Sequence, residues 1–171
     1  KHLEPEQKWV QRLSQPGSSM GGTRPKACVQ SNGHLYLAKF PSINDDINVS
    51  RWEHFAHLMA KECGINVAET KVIKAGTGQD ILLSKRFDRT EEKKRIHMAS
   101  SLTVLGLTDG DGQRTGKGYL DIVDFIISGG GNHIETNLEE LYKRVAFNIC
   151  IGNTDDHFRN HSFLLGKEGW E

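Results

Sequence analysis

The apolar residues of this chain change their spacing near residue 96, and this change limits the fold more than any other feature of the sequence. Before it, short apolar runs alternate with turn residues, a pattern typical of strands. After it, apolar residues recur every three or four positions, which is typical of amphipathic helices. We therefore predict an α+β fold with two lobes: a small antiparallel sheet lobe over residues 1–90, followed by a mostly helical lobe over residues 91–171.

An Asn-Gly pair divides the first two predicted strands. Asn32-Gly33 suits a two-residue hairpin turn because both residues can adopt a positive φ. The strands on either side are therefore expected to pair in antiparallel fashion. The strands predicted for this lobe are Ala27–Gln30, Leu35–Phe40, Val67–Lys74 and Asp80–Phe87.

Two capping-box patterns predict helix N-termini, since a Ser or Thr and a Glu three residues later can bond each other's backbone N–H groups. Ser50–Glu53 opens a helix that ends near Gly64, and Thr136–Glu139 opens another. A further helix is predicted around residues 119–126. The residues expected to face inward are Trp52, Phe55, Ala56, Met59 and Cys63 in the first helix, Tyr119, Ile122, Val123 and Ile126 in the next, and Leu138, Leu141, Tyr142, Val145 and Ile149 in the last.

The composition excludes several classes of protein. The 22 Lys+Arg and 22 Asp+Glu residues give zero net charge, so no direct nucleic-acid binding is expected. Hydrophobic residues make up 36% of the chain, enough for a packed core, and no apolar run approaches the roughly 18 residues of a membrane span. The start of the chain lacks the apolar segment of a signal peptide, so a cytoplasmic location is expected. Cys28, Cys63 and Cys150 are expected to be reduced core residues.

Three features occur in the order that phosphoryl transfer from ATP requires. The small residues of Ser18–Thr23 precede the hairpin, where their backbone N–H groups can approach phosphates. Lys39 follows in the second strand, and it needs an anionic partner if it faces inward. Asp155 and Asn160 have the five-residue interval of a kinase catalytic loop, in which the Asp accepts the substrate hydroxyl proton and the Asn faces the metal.

Each of these residues also has a simpler interpretation. Lys39 suits an edge strand with its ammonium group in water. Glu53 suits either a pair with Lys39, as in protein kinases, or the capping box. Asp155 and Asn160 suit a tight turn, and His157 suits a packed ring that braces the loop by a hydrogen bond. The joint order of the features favours the kinase interpretation.

A metal-dependent hydrolase is a weaker alternative. Four potential ligands lie within seven residues, and two of them are histidines with the i, i+4 spacing of zinc ligands on a helix. The preceding helix is expected to end at Gly152, however, which disfavours a helical histidine pair. The four residues are Asp155, Asp156, His157 and His161.

Four segments of the chain together carry a family resemblance. Ser19–Lys26 looks like a Gly-rich loop, and Leu37–Phe40 looks like an ATP-lysine strand. Lys85–Arg89 is similar to a segment that joins two lobes, and Ile151–Asn160 to a catalytic loop. In this combination they resemble the kinase core of HipA-like serine/threonine kinases, the toxin halves of bacterial toxin–antitoxin pairs. The resemblance implies a two-lobed protein-kinase-like fold and transfer of the γ-phosphoryl of Mg²⁺·ATP to a Ser or Thr hydroxyl of a target protein.

The resemblance also implies roles for the matching residues. Lys39 would contact the ATP phosphates, Asp155 would act as catalytic base, and Asn160 would bind Mg²⁺. Ser19 matches a position at which family members autophosphorylate, which ejects the Gly-rich loop and switches the kinase off. The implied cofactor-binding residues are Ser19, Gly21, Gly22, Lys39, Lys85 and Phe87, the last two through backbone groups at the adenine.

Partners follow from the same resemblance. The family's targets are proteins of the translation machinery, and its usual partner is a DNA-binding antitoxin. Its members carry a second metal-binding Asp after the strand that follows the catalytic loop, whereas the sequence ends at Glu171, and the pairing of strand Ser162–Leu165 is expected to be interrupted. We therefore expect a truncated, incomplete kinase core. The alternative hypothesis is a kinase-like module that binds nucleotide or a partner without turnover.

Overall fold

The structure is a computed structural model that describes residues 24–42, 44–74, 79–108 and 110–171. The predicted Gly-rich loop Ser18–Thr23, which contains Ser19, Gly21 and Gly22, lies outside the described residues. The chain divides into two units, one that ends at Phe87 and one that spans Asp88–Glu171.

A sheet of four strands forms the described part of the first unit. The strands are β1 (Lys26–Ser31), β2 (His34–Lys39), β3 (Thr70–Lys74) and β4 (Asp80–Lys85). All neighbouring strands are antiparallel, in the order β1-β2-β4-β3. Asn32 and Gly33 join β1 to β2 with φ values of 49° and 82°, which confirms the predicted hairpin.

The two faces of this sheet have different roles. One face forms an apolar cluster of Tyr36, Ala38, Ile81 and Leu83. Leu82 is fully buried on the opposite face, which it shares with Lys39, its cross-strand partner. Helix α1 (Val49–Glu62) packs against β3 and β4. Because Glu53 of α1 contacts Lys39, the helix covers the face that carries the lysine.

The predicted capping box at the start of α1 is wrong. The N-cap is Asn48, whose side chain accepts a hydrogen bond from the Arg51 N–H at 3.1 Å. Ser50 lies inside the helix, and its hydroxyl donates to the backbone oxygen of Asp80 on β4 at 3.0 Å. Both residues of the predicted box therefore contact the sheet instead of each other: Ser50 bonds to Asp80, and Glu53 pairs with Lys39.

The predicted inward face of α1 is also wrong. Trp52 and Phe55 are 59% and 50% exposed, and Met59 is exposed as well. The buried residues of the helix are Ser50 and Ala60. Small side chains let the helix backbone lie close to the sheet, so the larger apolar side chains fall on the opposite side.

The second unit combines helices with a three-stranded antiparallel sheet. Its elements are β5 (His97–Ser100), α2 (Ser101–Val104), α3 (Asp111–Thr115), α4 (Tyr119–Gly129), a 3-10 turn (Gly131–His133), α5 (Ile134–Cys150), β6 (Ser162–Gly166) and β7 (Gly169–Trp170). Strand β6 lies between β5 and β7. The helical pattern predicted from residue 96 onward is wrong for β5, because this segment pairs with β6.

The strand pairing expected to be interrupted is present. Strand β7 follows β6 in a hairpin, and Leu165 pairs with Trp170. The hairpin continues to the last residue, where backbone hydrogen bonds of 2.7 and 2.9 Å join Leu164 and Glu171.

Helices α4 and α5 pack around the core of the second unit. Ile122 and Ile126 of α4 meet Leu141 of α5 and Phe163 of β6, which confirms the inward position of the two isoleucines and of Leu141. Helix α5 begins at Ile134, so the capping box predicted at Thr136 is wrong. The predicted inward face of α5 is too wide, since two of its members are exposed. These are Tyr142 and Ile149, which are 75% and 74% exposed.

The three cysteines are exposed free thiols, so their predicted burial is wrong. Cys28 lies on the edge strand β1, Cys63 caps the C-terminus of α1, and Cys150 ends α5. Residues at edges and ends of elements remain accessible even when their sequence neighbours are apolar. In the described part of the chain, no helix is long and apolar enough to span a membrane.

Candidate active site

Lys39 lies on an interior strand and has an acidic partner. Strand β2 pairs with β1 on one side and β4 on the other, so the edge-strand interpretation is wrong. The Lys39 ammonium contacts the Glu53 carboxylate, and the two side chains are 31% and 27% exposed. The pair lies within one unit and leaves both groups accessible to a ligand.

Asp80 fixes the part of α1 that carries Glu53. Its carboxylate accepts hydrogen bonds from Asn48 and Arg51, both at 2.6 Å, and its backbone oxygen accepts the Ser50 hydroxyl. The hydrogen bonds from Asn48 and Arg51 lower the pKa of Asp80, so this buried side chain is ionised at neutral pH. The first turn of α1 is thereby tied to the first residue of β4, and Glu53 follows directly after that turn.

Lys26 is a second lysine on the same face of the sheet. It is the cross-strand partner of Lys39, and directly opposed side chains lie on one face. Burial, together with the nearby charge of Lys39, lowers the pKa of Lys26. The two lysines lie side by side on the face that Glu53 contacts, an arrangement that suits a phosphate ligand. The predicted hairpin register implies this juxtaposition, because a two-residue turn at Asn32-Gly33 places residues 26 and 39 opposite each other.

The segment predicted to contact adenine lies at the end of the first unit. The Lys85 N–H donates to the Glu69 backbone oxygen at 2.8 Å, and the Lys85 ammonium lies 3.9 Å from the Glu69 carboxylate. Phe87 is 55% exposed, and no backbone hydrogen bond between described residues uses its N–H. A ligand can therefore reach Phe87, whereas the Lys85 N–H is already bonded within the sheet lobe.

The predicted catalytic residues come together in the loop between α5 and β6. The Asp155 side chain is 87% exposed, and its N–H donates to the Asn153 side-chain oxygen at 3.1 Å. The Asn160 side-chain amide donates to the Asp155 backbone oxygen. Among the described residues, the Asn160 side-chain oxygen has no hydrogen-bond partner, so it is available to a cation. His157 is half-exposed and lies 3.5 Å from the Asp155 carboxylate.

Asp156 differs sharply from its neighbour Asp155, since its side chain is only 8% exposed. Its carboxylate accepts hydrogen bonds from the Tyr119 hydroxyl, from Asn148 at 2.8 Å and from His161 at 2.7 Å. Burial acts to raise the pKa of Asp156, but these hydrogen bonds outweigh it and the pKa is lowered. Burial and the bond to Asp156 raise the pKa of Tyr119 to about 12.

The packed histidine of this loop is therefore His161, whereas the supporting role of His157 stays a prediction. The His161 ring packs edge-on against Tyr119, with 5.8 Å between the ring centroids. Residues 158–160 form a turn, so the two histidines do not share a helix. No group of three or more His, Cys, Asp or Glu is arranged to hold a metal within residues 24–42, 44–74, 79–108 and 110–171. The zinc interpretation thus has no site in that part of the chain.

The comparison with protein families gives one match over most of the chain. The model of the HipA-like C-terminal domain matches residues 18–171. Two curated relatives are similar in sequence. A putative kinase of Haemophilus influenzae is 26% identical over 193 residues, which cover 98% of this chain and 55% of the relative. The serine/threonine-protein kinase toxin HipA of Shewanella oneidensis is 23% identical over 181 residues, which cover 91% of this chain and 41% of the toxin.

Two solved structures are similar in fold. A chain in the Shewanella oneidensis complex of HipA, HipB and operator DNA has a TM-score of 0.73 at 21% identity, over 99% of this chain and 50% of that one. The Helicobacter pylori proinflammatory kinase CtkA has a TM-score of 0.68 at 20% identity, over 92% of this chain and 54% of that one. The chain thus spans about half the length of the relatives it matches. The predicted α+β, kinase-like fold is confirmed.

Proposed function

The chain belongs to the HipA-like C-terminal domain family, and from that premise we propose that it carries the nucleotide-binding and catalytic groups of an ATP-dependent protein serine/threonine kinase. The reaction is transfer of the γ-phosphoryl of Mg²⁺·ATP to a Ser or Thr hydroxyl on a protein. The observation that carries the proposal is the Lys39–Glu53 ion pair between a central strand and the helix that covers it. Protein kinases need such a lysine–glutamate pair to hold the ATP phosphates.

Lys39 binds the phosphates in this proposal, and Glu53 holds its ammonium in place. A lysine side chain is a flexible stem of four carbons, so an unpaired ammonium would sample many positions. The contact with Glu53 fixes the charge at one point on the sheet face. The position of Lys26 as the cross-strand neighbour of Lys39 supports the same role.

Asp155 and Asn160 perform the chemistry at the phosphoryl acceptor. Asp155 accepts the proton of the attacking hydroxyl, and its high exposure leaves the carboxylate open to a substrate. The Asn160 side-chain oxygen is a hard ligand of the kind that Mg²⁺ prefers, and the bond from its amide group to Asp155 holds the two residues together. When bound, Mg²⁺ neutralises charge that develops on the phosphates.

The remaining parts of the ATP site rest on the family resemblance. Ser19, Gly21 and Gly22 cradle the phosphates through backbone N–H groups. Lys85 and Phe87 bind the adenine through backbone groups, in the case of Lys85 through its backbone oxygen because its N–H is bonded to Glu69, and the accessible Phe87 supports this. Autophosphorylation at Ser19 would switch the kinase off, because about two negative charges beside a phosphate site repel ATP.

The proposed partners rest on the family resemblance and on one related structure. The substrate is a protein of the translation machinery, and the regulator is a DNA-binding antitoxin. The second part is supported by the related complex, which contains HipA, HipB and operator DNA. Because operator DNA lies in the bacterial cytoplasm, the proposal includes a cytoplasmic location.

Phosphoryl transfer from γ-labelled ATP tests the proposal, measured with the full-length protein. Lys39→Met and Asp155→Asn should each reduce the rate by about 100-fold or more, because each removes a group that acts on the phosphates or on the acceptor. Asp124→Asn is the matched control, since Asp124 is an exposed residue of α4. Full activity of the Asp155→Asn protein would contradict the role given to Asp155.

Titration of Mg²⁺·ATP against the 171-residue chain distinguishes a kinase from the alternative hypothesis, a kinase-like module that binds nucleotide without turnover. Binding together with transfer supports a kinase. Nucleotide binding by both the chain and the full-length protein, with transfer by neither, would favour a binding module without turnover.

A further inference from the structure

We propose that Asp156 is the residue that positions the catalytic loop, a role that rests on the proposed kinase function. Asp156 is adjacent to Asp155, yet its carboxylate points into the unit and is nearly buried. A carboxylate removed from water is costly unless hydrogen bonds replace its hydration. A side chain that only filled space here could be apolar, so the buried charge indicates a specific task.

Three elements converge on the Asp156 carboxylate. The Tyr119 hydroxyl comes from the first turn of α4, and the Asn148 amide comes from the last turn of α5. His161, which directly precedes β6, supplies the third donor. Because an ionised carboxylate only accepts hydrogen bonds, all three partners must present an N–H or O–H to it. The loop is therefore fixed to both helices and to the sheet through one side chain.

The charge on Asp156 also sets the direction of a chain of hydrogen bonds that ends at Asp155. Asn148 turns its amide N–H toward Asp156, so its side-chain oxygen faces Asn153, which donates to it at 3.2 Å. The Asn153 side-chain oxygen then accepts the Asp155 N–H at 3.1 Å. A neutral amide at position 156 can donate as well as accept. The Asn148 side chain could then rotate and present its oxygen to residue 156 instead of to Asn153.

The far side of the loop is held in a complementary way. The Asn160 amide donates to the Asp155 backbone oxygen, so Asp155 is bonded on both its N–H and its C=O. The backbone oxygens of Phe158 and His161 accept hydrogen bonds from the start of α2, at 3.1 and 2.8 Å. Loss of the Asp156 contacts would thus displace Asp155 and disturb the bond that joins it to the Asn160 amide, while the backbone bonds to α2 remain.

The test compares Asp156→Asn with Asp155→Asn and the exposed control Asp124→Asn in the full-length protein. We expect Asp156→Asn to lower kcat for phosphoryl transfer by about 10- to 100-fold, because small displacements of reacting groups have large effects on rate. The KM for Mg²⁺·ATP should change less than kcat, since Lys39 and Glu53 are untouched and only the Asn160 contact to Mg²⁺ is displaced. Tyr119→Phe, which removes one donor and keeps the charge, should lower kcat by roughly 3- to 10-fold.

Amide hydrogen exchange gives a readout that does not depend on activity. In the Asp156→Asn protein, exchange at the Asp155 N–H should accelerate by about tenfold or more relative to the Asp124→Asn protein. If Asp156→Asn does not fold, Tyr119→Phe provides the same two measurements with a milder change.

The outcomes separate this inference from the proposed function. Wild-type kcat and exchange in the Asp156→Asn protein, with an inactive Asp155→Asn protein, would overturn the positioning role and leave the kinase proposal intact. Full activity of the Asp155→Asn protein would overturn the role of Asp155, and the positioning role would fall with it. If the activity lost by each variant equals the fraction of its molecules that are unfolded, Asp156 only stabilises the fold, and the inference is overturned.

Discussion

One charged side chain in each unit, Lys39 in the first and Asp156 in the second, is held by other residues of its own unit. Lys39 contacts Glu53, and Asp156 accepts hydrogen bonds from three side chains. Charged groups in partly dehydrated surroundings need such partners, because water no longer stabilises the charge. At the residue scale, the hydrogen-bond and ion-pair partners of Lys39 and Asp156 therefore determine where the two charges lie.

Glu53→Gln tests the partner of Lys39. The variant keeps the shape of the side chain but removes the charge that fixes the lysine ammonium. We expect phosphoryl transfer to fall by about tenfold or more in kcat/KM for ATP. Glu62→Gln, at the exposed C-terminal end of α1, is the control and should leave kcat/KM unchanged. Equal rates for both variants would show that the ion pair does not serve nucleotide binding.

Two adjacent residues show what the sequence does not predict at this scale, which is the burial of a single side chain. Asp155 and Asp156 are the same residue type in the same loop, yet their side chains are 87% and 8% exposed. The five-residue interval to Asn160 selects Asp155, but no local pattern reveals the donors that surround Asp156. Glu53 is similar, since a capping role and a pairing role are both consistent with its position in the sequence.

At the element scale, α1 determines where Glu53 lies, and its start is fixed by contacts with β4. Asn48 caps the helix and donates to Asp80, while Ser50 donates to the Asp80 backbone oxygen. The predicted inward face of this helix is exposed, because the sheet accepts its small residues and not Trp52 or Phe55. Periodicity identified the helix correctly but did not identify which side the sheet covers.

Helix capping can be tested with two alanine substitutions. Asn48→Ala removes both the cap and the bond to Asp80, so it should destabilise the protein by about 1–2 kcal/mol. Thr136→Ala should not destabilise it, because Thr136 is an exposed residue inside α5 and not a cap. The free energy of unfolding from urea titration measures both. A loss of about 1 kcal/mol on Thr136→Ala would restore the predicted capping box.

The β1–β2 turn gives a further test of element geometry. Gly33 has a φ of 82°, a backbone conformation that costs an L side chain roughly 1 kcal/mol. Nothing lies within 4 Å of a methyl group added at Gly33, so Gly33→Ala should destabilise the protein through the backbone alone. Asn32→Gly should be close to neutral in the same urea titration, because Gly tolerates the φ of 49°. Equal stability of the wild-type and Gly33→Ala proteins would contradict this turn.

At the scale of the whole molecule, each of the two units contains a buried carboxylate with a lowered pKa. Hydrogen bonds from Asn48 and Arg51 lower the pKa of Asp80 in the first unit. In the second, burial opposes the shift at Asp156, but the hydrogen bonds to Tyr119, Asn148 and His161 outweigh it. Both units should therefore lose stability in acid for the same physical reason.

The acid dependence of thermal unfolding tests this. The unfolded chain binds protons on these carboxyls at a higher pH than the folded chain, so their contribution is complete above the unfolded pKa of 3.8 and is lost as the pH falls through the folded value. The midpoint of thermal unfolding should stay nearly constant between about pH 7 and 5 and fall below about pH 4. Asp80→Asn should weaken this acid slope, whereas Asp124→Asn should not. An unchanged slope in the Asp80→Asn protein would contradict the lowered pKa.

The sequence by itself determined the four strands of the first unit, the β1–β2 hairpin and the interval between Asp155 and Asn160, because turn chemistry, periodicity and spacing are local properties of the chain. Only the tertiary structure decided that Glu53 pairs with Lys39, that Asp156 is buried, and that the large apolar residues of α1 face outward. Those features depend on residues far apart in the chain, such as Lys39 and Glu53 at a separation of 14 and Tyr119 and Asp156 at a separation of 37. Packing selects among faces and partners that are locally equivalent, so it settles what periodicity leaves open.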